Sequence, residues 1–353
     1  MSKHIGGIQQ IGIGTSNLHE EWSWYRRNFG MDIRIFEDAA DAPLMTKYTG
    51  DKVQNRVAAL ALNMEGGGGF EIWQYASRAP KPADFPITLA EIGFLGAKMK
   101  TRDANRAHAH LKENGASLLT EVISNPLGQS HFYLKDKSGN LFEIIEAQEF
   151  FKNIDSPVGG VYGCMIGVSN MDKSIKFYQN VLDFDVIKLD EVGIFEDFTG
   201  IPGSSQKFRR VILETSKMPK GPFAPLLGTN QIELLEPLEK KGKKIFENRF
   251  WGDLGFIHLC FDVQDMDGLR EKAEARHHPF TVDSADSFDM GKAAGRFAYV
   301  EDPDGALIEF VETHKLPIVE KWGWYLNLKK RGDQGRSLPK WVLNCFKFNR
   351  VKN

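Results

Sequence analysis

Part of this chain is written twice, and the repetition constrains its fold more than any composition does. Gly6-Gly7-Ile8-Gln9-Gln10-Ile11-Gly12-Ile13-Gly14-Thr15-Ser16-Asn17 lines up without gaps on Gly159-Gly160-Val161-Tyr162-Gly163-Cys164-Met165-Ile166-Gly167-Val168-Ser169-Asn170, at a constant offset of 153 residues. The register continues to Tyr25 on Tyr178 and Asp32 on Asp185. A second pair matches Ile92–Gly96 with Leu254–His258 and Asp103 with Asp265, at an offset of 162. Further on, Tyr133, Asp136, Gly139, Leu141, Glu143 and Glu146 fall on Tyr299, Asp302, Gly305, Leu307, Glu309 and Glu312 at an offset of 166, which implies a short insertion.

Each unit opens with an alternating apolar strand such as Ile8–Thr15. A Ser-Asn pair, Ser16-Asn17 or Ser169-Asn170, can then cap an amphipathic helix, and three β-rich stretches close the unit. The pattern predicts an α+β chain of four βαβββ modules over about residues 5–76, 90–148, 158–237 and 253–313. The domains expected are 1–150, 158–313 and a C-terminal tail, 314–353. At 353 residues the chain is long enough for two cores of ordinary size. A net charge of −2 gives no general reason to expect nucleic acid or a membrane as partner. Three well-separated cysteines cannot build a disulfide framework or a paired-cysteine zinc site. With no signal-peptide pattern at Met1–Gly7 and no membrane-length apolar run, a cytoplasmic protein is expected.

The opening pattern Met171-Asp172-Lys173-Ser174-Ile175-Lys176-Phe177-Tyr178, with Leu182 and Phe184, and the closing pattern Asp302-Pro303-Asp304-Gly305-Ala306-Leu307-Ile308-Glu309 resemble the vicinal oxygen chelate superfamily. This is the glyoxalase, bleomycin-resistance and extradiol-dioxygenase group, and the resemblance covers about residues 5–313. It implies that βαβββ modules pair into open β-cups, with metal ligands on the first and last strands of each module. Each half of the chain is then expected to hold one cup.

The resemblance places four ligand positions per half: Gln10, Glu71, Gly96 and Glu143, then Gly163, Glu233, His258 and Glu309. An imidazole and carboxylates converging on one cation suit a Zn, Ni, Mn or Fe(II) ion. The C-terminal set Glu233, His258 and Glu309 is therefore the expected metal site, like the glyoxalase I arrangement with glycine at the first ligand. Without a cation, Glu233 and Glu309 would need a buried basic partner such as Arg209 or Arg210. The N-terminal set lacks its histidine and is expected to be a remnant, unless His131 restores the imidazole missing at Gly96.

Three chemistries follow from the resemblance. The first is a metal-dependent isomerase or lyase of the glyoxalase or epimerase kind, acting on a small substrate with adjacent oxygens. Glu309 or Glu233 would abstract a proton and the metal would hold the resulting enediolate. The second is an extradiol ring-cleaving dioxygenase, which normally needs two histidines and one carboxylate. The third is a non-catalytic small-molecule binder. The run Gly66–Gly69 lacks the lysine and hydroxyl of a phosphate loop and reads as a mobile hairpin turn. The tail carries ten Lys or Arg against Glu320 and Asp333, with six aromatics. It is expected to bury those aromatics by wrapping onto its own domain or onto a partner subunit in a homodimer.

Overall fold

The computed structural model describes residues 5–285, 288–290, 293–319, 322–329 and 335–351. A helix follows the first strand of each of the four modules: Leu18–Phe29, Ala104–Glu113, Met171–Asn180 and Met266–Glu274. Each is capped by a side chain at the repeated position. Asn17, Asp103, Asn170 and Asp265 accept from the backbone N–H three residues on, at 3.0–3.2 Å. Such caps satisfy one of the free donors at a helix start, and each contributes about 1 kcal/mol.

The strands form two curled sheets, so the fold is α+β as expected. Each sheet is assembled from one module of each half. One sheet runs Val282–Asp283, Ala293–Glu301, Leu307–Val319, Gly255–Val263, Ile5–Gly14, Gly69–Tyr75, Asn55–Leu62, Ile33–Asp41, which joins the first module to the fourth. The other runs Val186–Gly193, Phe208–Glu214, Gln231–Pro237, Val161–Gly167, Gly93–Thr101, Leu141–Glu146, Ser130–Lys135, Ser117–Leu118, and joins the second to the third. The expectation that each half of the chain closes its own cup is therefore overturned.

Residue sizes at the central strand pair agree with this pairing. Gly12 stands opposite His258, and Met165 stands opposite Gly96. Gly12 and Met165 are equivalent positions of the repeat, as are Gly96 and His258. Pairing within each half would set glycine against glycine in one cup and methionine against histidine in the other. The observed pairing matches small with large in both, as close packing requires.

Within each half, the two modules are tied together through the helices instead. Tyr25 donates to Asp136 Oδ2 at 2.7 Å, and the equivalent Tyr178 donates to Asp302 Oδ2 at 3.1 Å. Around the first link, Tyr25, Phe29, Phe70 and Phe142 form an aromatic cluster with centroids 4.9–6.2 Å apart. The helices and the inward faces of both sheets share this core.

The glycine run also differs from expectation. Gly66–Gly69 is buried. Gly68 N–H donates to Val161 O at 2.9 Å, Val161 N–H returns to Gly68 O at 2.8 Å, and Gly160 N–H reaches Gly66 O at 2.8 Å. A Cβ on Gly67 would lie 2.8 Å from the carbonyl carbon of Gly160. Two backbones cross in contact here, and glycine is what permits it.

Past the repeat, strand Leu307–Val319 folds back as Trp324–Asn327. Helix Lys340–Asn344 and the 3₁₀ turn Cys345–Asn349 then return to the first module. Val351 N–H donates to Asp32 O at 2.8 Å, and Arg350 Nε lies 3.4 Å from Asp32 Oδ2. Phe346 is buried, whereas Trp322 and Trp341 stay mostly exposed and meet other tail rings, Phe348 and Trp324, at 5.1 and 6.2 Å. The tail thus wraps back on its own chain without burying all its aromatics. Among the described residues, no helix is long and apolar enough to cross a membrane.

Candidate metal centre

Four consecutive strands of the first sheet carry Glu309, His258, Gln10 and Glu71 in that order across the sheet. The register sets Gln10 against Cys260, Cys260 against Glu309, and Gly12 against both His258 and Glu71. Alternation along each strand turns these side chains to the same concave face. His258 Nε2 lies 3.2 Å from Glu71 Oε2 and 3.2 Å from Glu309 Oε2. Gln10 Nε2 donates to Glu71 Oε2 at 3.1 Å. Ligand atoms of Glu71, His258 and Glu309 all fall within 4.8 Å of one another.

His258 is fixed from several sides. A Cβ at Gly12 would sit 2.4 Å from its Cε1, so the ring lies on bare backbone there. Trp251 stacks on it at 6.1 Å and 17°, and Tyr299 meets it edge-on at 5.8 Å. Burial opposes protonation of His258, but Glu309 and Glu71 outweigh it and raise its pKa. Burial pushes Glu309 up to about 7. Glu71 is subject to the same burial, yet the His258 imidazole beside it holds it below the usual carboxylate range.

The donor set fits a divalent transition-metal ion. Gln10 Oε1, Glu309 Oε2 and both ring nitrogens of His258 are buried without a hydrogen-bond partner. Orphaned acceptors of this kind are costly in a protein interior unless something coordinates them. Imidazole nitrogen, two carboxylates and an amide oxygen are suitable ligands for such an ion.

The expected partner Glu233 is elsewhere, because its module belongs to the other sheet. There Lys98 Nζ reaches Glu233, Gln231 Oε1 and, at 3.1 Å, Glu143 Oε2. Arg210 Nε binds Glu233 Oε1 at 2.7 Å, and its NH1 binds Asp197 Oδ2 at 2.7 Å. His131 Nδ1 lies 2.6 Å from Glu143 Oε1 and so joins this network without completing a ligand set. Phe195 and Phe198 cover the Arg210 guanidinium at 5.0 and 4.2 Å. Burial works against the Lys98 charge, but Glu143 and Glu233 outweigh it and raise its pKa. Burial likewise disfavours the Glu143 anion, which Lys98 and His131 nonetheless hold down at about 2. In this second cup an ammonium and a guanidinium occupy the centre, so a divalent cation would be repelled.

Of the residues expected at the metal, the structure brings His258 and Glu309 together and separates Glu233 from them. Gln10 and Glu71, read as part of a remnant, complete the set. Gly163, the first-ligand position in the C-terminal half, faces Lys98 in the other cup. The Gly12/His258 and Met165/Gly96 complementarity was a sequence signal for this exchange.

Glu71, Gln10 and Glu309 also line a largely apolar cavity of about 120 Å³, whose other walls include Phe36, Leu60, Phe223 and Phe297.

A family model described as Glyoxalase/Bleomycin resistance protein/Dioxygenase superfamily matches residues 7–144 and 161–310. Among solved structures, glyoxalase I from Zea mays aligns with a TM-score of 0.53 at 16% identity, over 87% of this chain and 92% of its own. A putative dioxygenase from Bacillus subtilis subsp. subtilis str. 168 aligns with a TM-score of 0.56 at 14% identity, over 88% and 86%. At these identities the likeness is one of fold. No curated protein matches the sequence.

Proposed function

Because the chain belongs to the Glyoxalase/Bleomycin resistance protein/Dioxygenase superfamily, we propose that it is a metal-dependent isomerase or lyase that moves a proton on a small substrate with two adjacent oxygens. The observation that carries this reading is the convergence of Gln10, Glu71, His258 and Glu309 beside an apolar cavity. These four residues would hold a divalent cation, which when bound supplies Lewis acidity toward the substrate's oxygens.

The protein's own groups divide the remaining work. Glu71, held in its anionic form, and His258, seated on Gly12 and under Trp251, keep the centre in place. Glu309 Oε2 takes the proton from the carbon beside the carbonyl and returns it to the neighbouring carbon. A carboxylate beside the reacting carbon can both accept and return a proton. The apolar walls exclude water that would otherwise exchange with that proton.

The ring-cleaving dioxygenase reading is less well supported, because that chemistry normally uses two histidines and one carboxylate. Here one histidine faces two carboxylates and an amide. The test is metal analysis of the purified protein and of His258→Ala, followed by an assay for solvent deuterium entering α-hydroxycarbonyl substrates. About one equivalent of metal lost in His258→Ala, together with deuterium incorporation by the parent protein alone, is the expected result. Metal retained in His258→Ala would refute the assignment.

A further inference from the structure

We propose that Phe346, supplied by the C-terminal tail, is a specificity-determining residue that makes the cavity accept one uncharged, ring-sized apolar group as the non-chelating arm of the substrate. The inference rests on the metal-centre reading above and extends it to the substrate.

Two features of the cavity lead here. Its volume of about 120 Å³ is close to that of a Leu/Ile/Phe-lined cavity of about 150 Å³ that takes up benzene. Away from the metal set its walls are apolar apart from Gln9 and Thr313, with Phe223, Leu226, Leu316 and Phe346 prominent. Among the described lining residues the charged groups are Glu71 and Glu309, with no lysine or arginine. An arm ending in a carboxylate would add a third carboxylate with no lysine or arginine to meet it, at a high desolvation cost.

Phe346 lies beyond both stretches matched to the family, the second of which ends at residue 310. It is 1% exposed and anchored from three directions. Leu338 N–H donates to Pro222 O at 2.9 Å, and Val351 N–H donates to Asp32 O at 2.8 Å. Asn349 Nδ2 donates to Ile318 O at 3.3 Å. The tail is thus tied to the first, third and fourth parts of the chain around one ring that enters the cavity wall. A segment added to the repeat thereby sets the size of the group that fits beside the metal.

The experiment uses the full chain loaded with zinc. Acetohydroxamic, benzohydroxamic and 4-carboxybenzohydroxamic acids, each with two adjacent oxygens, are titrated by calorimetry. Benzohydroxamic acid should bind about tenfold or more tighter than acetohydroxamic acid, as burial of a ring predicts. The 4-carboxy compound should lose that gain. Phe346→Trp, which fills the ring space while preserving an aromatic anchor for the tail, should abolish the gain and leave acetohydroxamic acid unaffected. In parallel, 4-fluorotoluene is titrated into the metal-free protein and followed by fluorine NMR, with loss of binding expected in Phe346→Trp. Zinc binding with no preference for the ring, or a preference unchanged in Phe346→Trp, overturns this proposal and leaves the metal centre intact. Failure to bind zinc overturns the metal centre, and the 4-fluorotoluene titration then still decides the role of Phe346.

Discussion

Gly12 and His258 face each other across the antiparallel pair that joins the first module to the fourth, and the imidazole occupies the space a Gly12 side chain would take. A residue with no side chain therefore positions the one with the most demanding chemistry. Gly12→Ala should displace the ring and weaken zinc binding by about 10- to 100-fold, the usual range for losing a group that orients a ligand. A competition titration against a chromophoric chelator measures this. Unchanged affinity in a folded Gly12→Ala protein would show that the ring does not depend on that vacancy.

The same relationship explains what the sequence made legible and what it did not. Module boundaries, helix caps and ligand-bearing strands follow from local patterns, and Asn17, Asp103, Asn170 and Asp265 cap their helices where the repeat puts them. Which module pairs with which is a non-local question. The repeat makes all four first strands nearly interchangeable, so chain proximity favoured pairing within halves. Residue sizes at two register positions, Gly12 opposite His258 and Met165 opposite Gly96, agree with the pairing observed. Glu233 was misplaced for this reason alone, whereas its alternative pairing with Arg210 was readable from the need to compensate a buried carboxylate.

Gln10 and Glu233 now exchange their expected importance. Gln10→Ala removes an amide from the metal set and should lower both metal content and activity. Glu233→Gln should leave metal content at the parent level, because its carboxylate sits in the other cup with Lys98 and Arg210. Elemental analysis of both variants after dialysis distinguishes them. Metal loss in Glu233→Gln without loss of fold would contradict the separation of the two cups.

Lys98 is the internal cation of that second cup. Replacing it with methionine keeps the chain length but leaves Glu143 and Glu233 without the ammonium between them. Breaking a buried ion pair from one side costs roughly 3–5 kcal/mol. Lys98→Met should therefore lower the urea midpoint strongly while the remaining folded fraction keeps its zinc stoichiometry. A loss under about 1 kcal/mol, the value of an exposed pair, would mean the network is solvated.

The Tyr178–Asp302 link predicts a pH dependence of stability independent of the metal. Burial pushes Asp302 up to about 6, even though the backbone N–H groups of Asp304 and Ala306 and the Tyr178 hydroxyl donate to it. The folded chain thus holds this proton more tightly than the unfolded chain, whose carboxyl titrates near 3.9. The resulting stabilisation is complete below about pH 4 and is lost as pH rises through about 6. Asp136, its repeat partner beneath Tyr25, is raised by burial in the same direction. Asp302→Asn should retain acceptance of the two backbone hydrogen bonds through its amide oxygen. Its urea midpoint should therefore fall less steeply than that of the parent between about pH 4 and 6, and the double variant with Asp136→Asn should be flatter still. Parallel curves for parent and double variant would show that both aspartates ionise in the folded protein as they do in the unfolded chain.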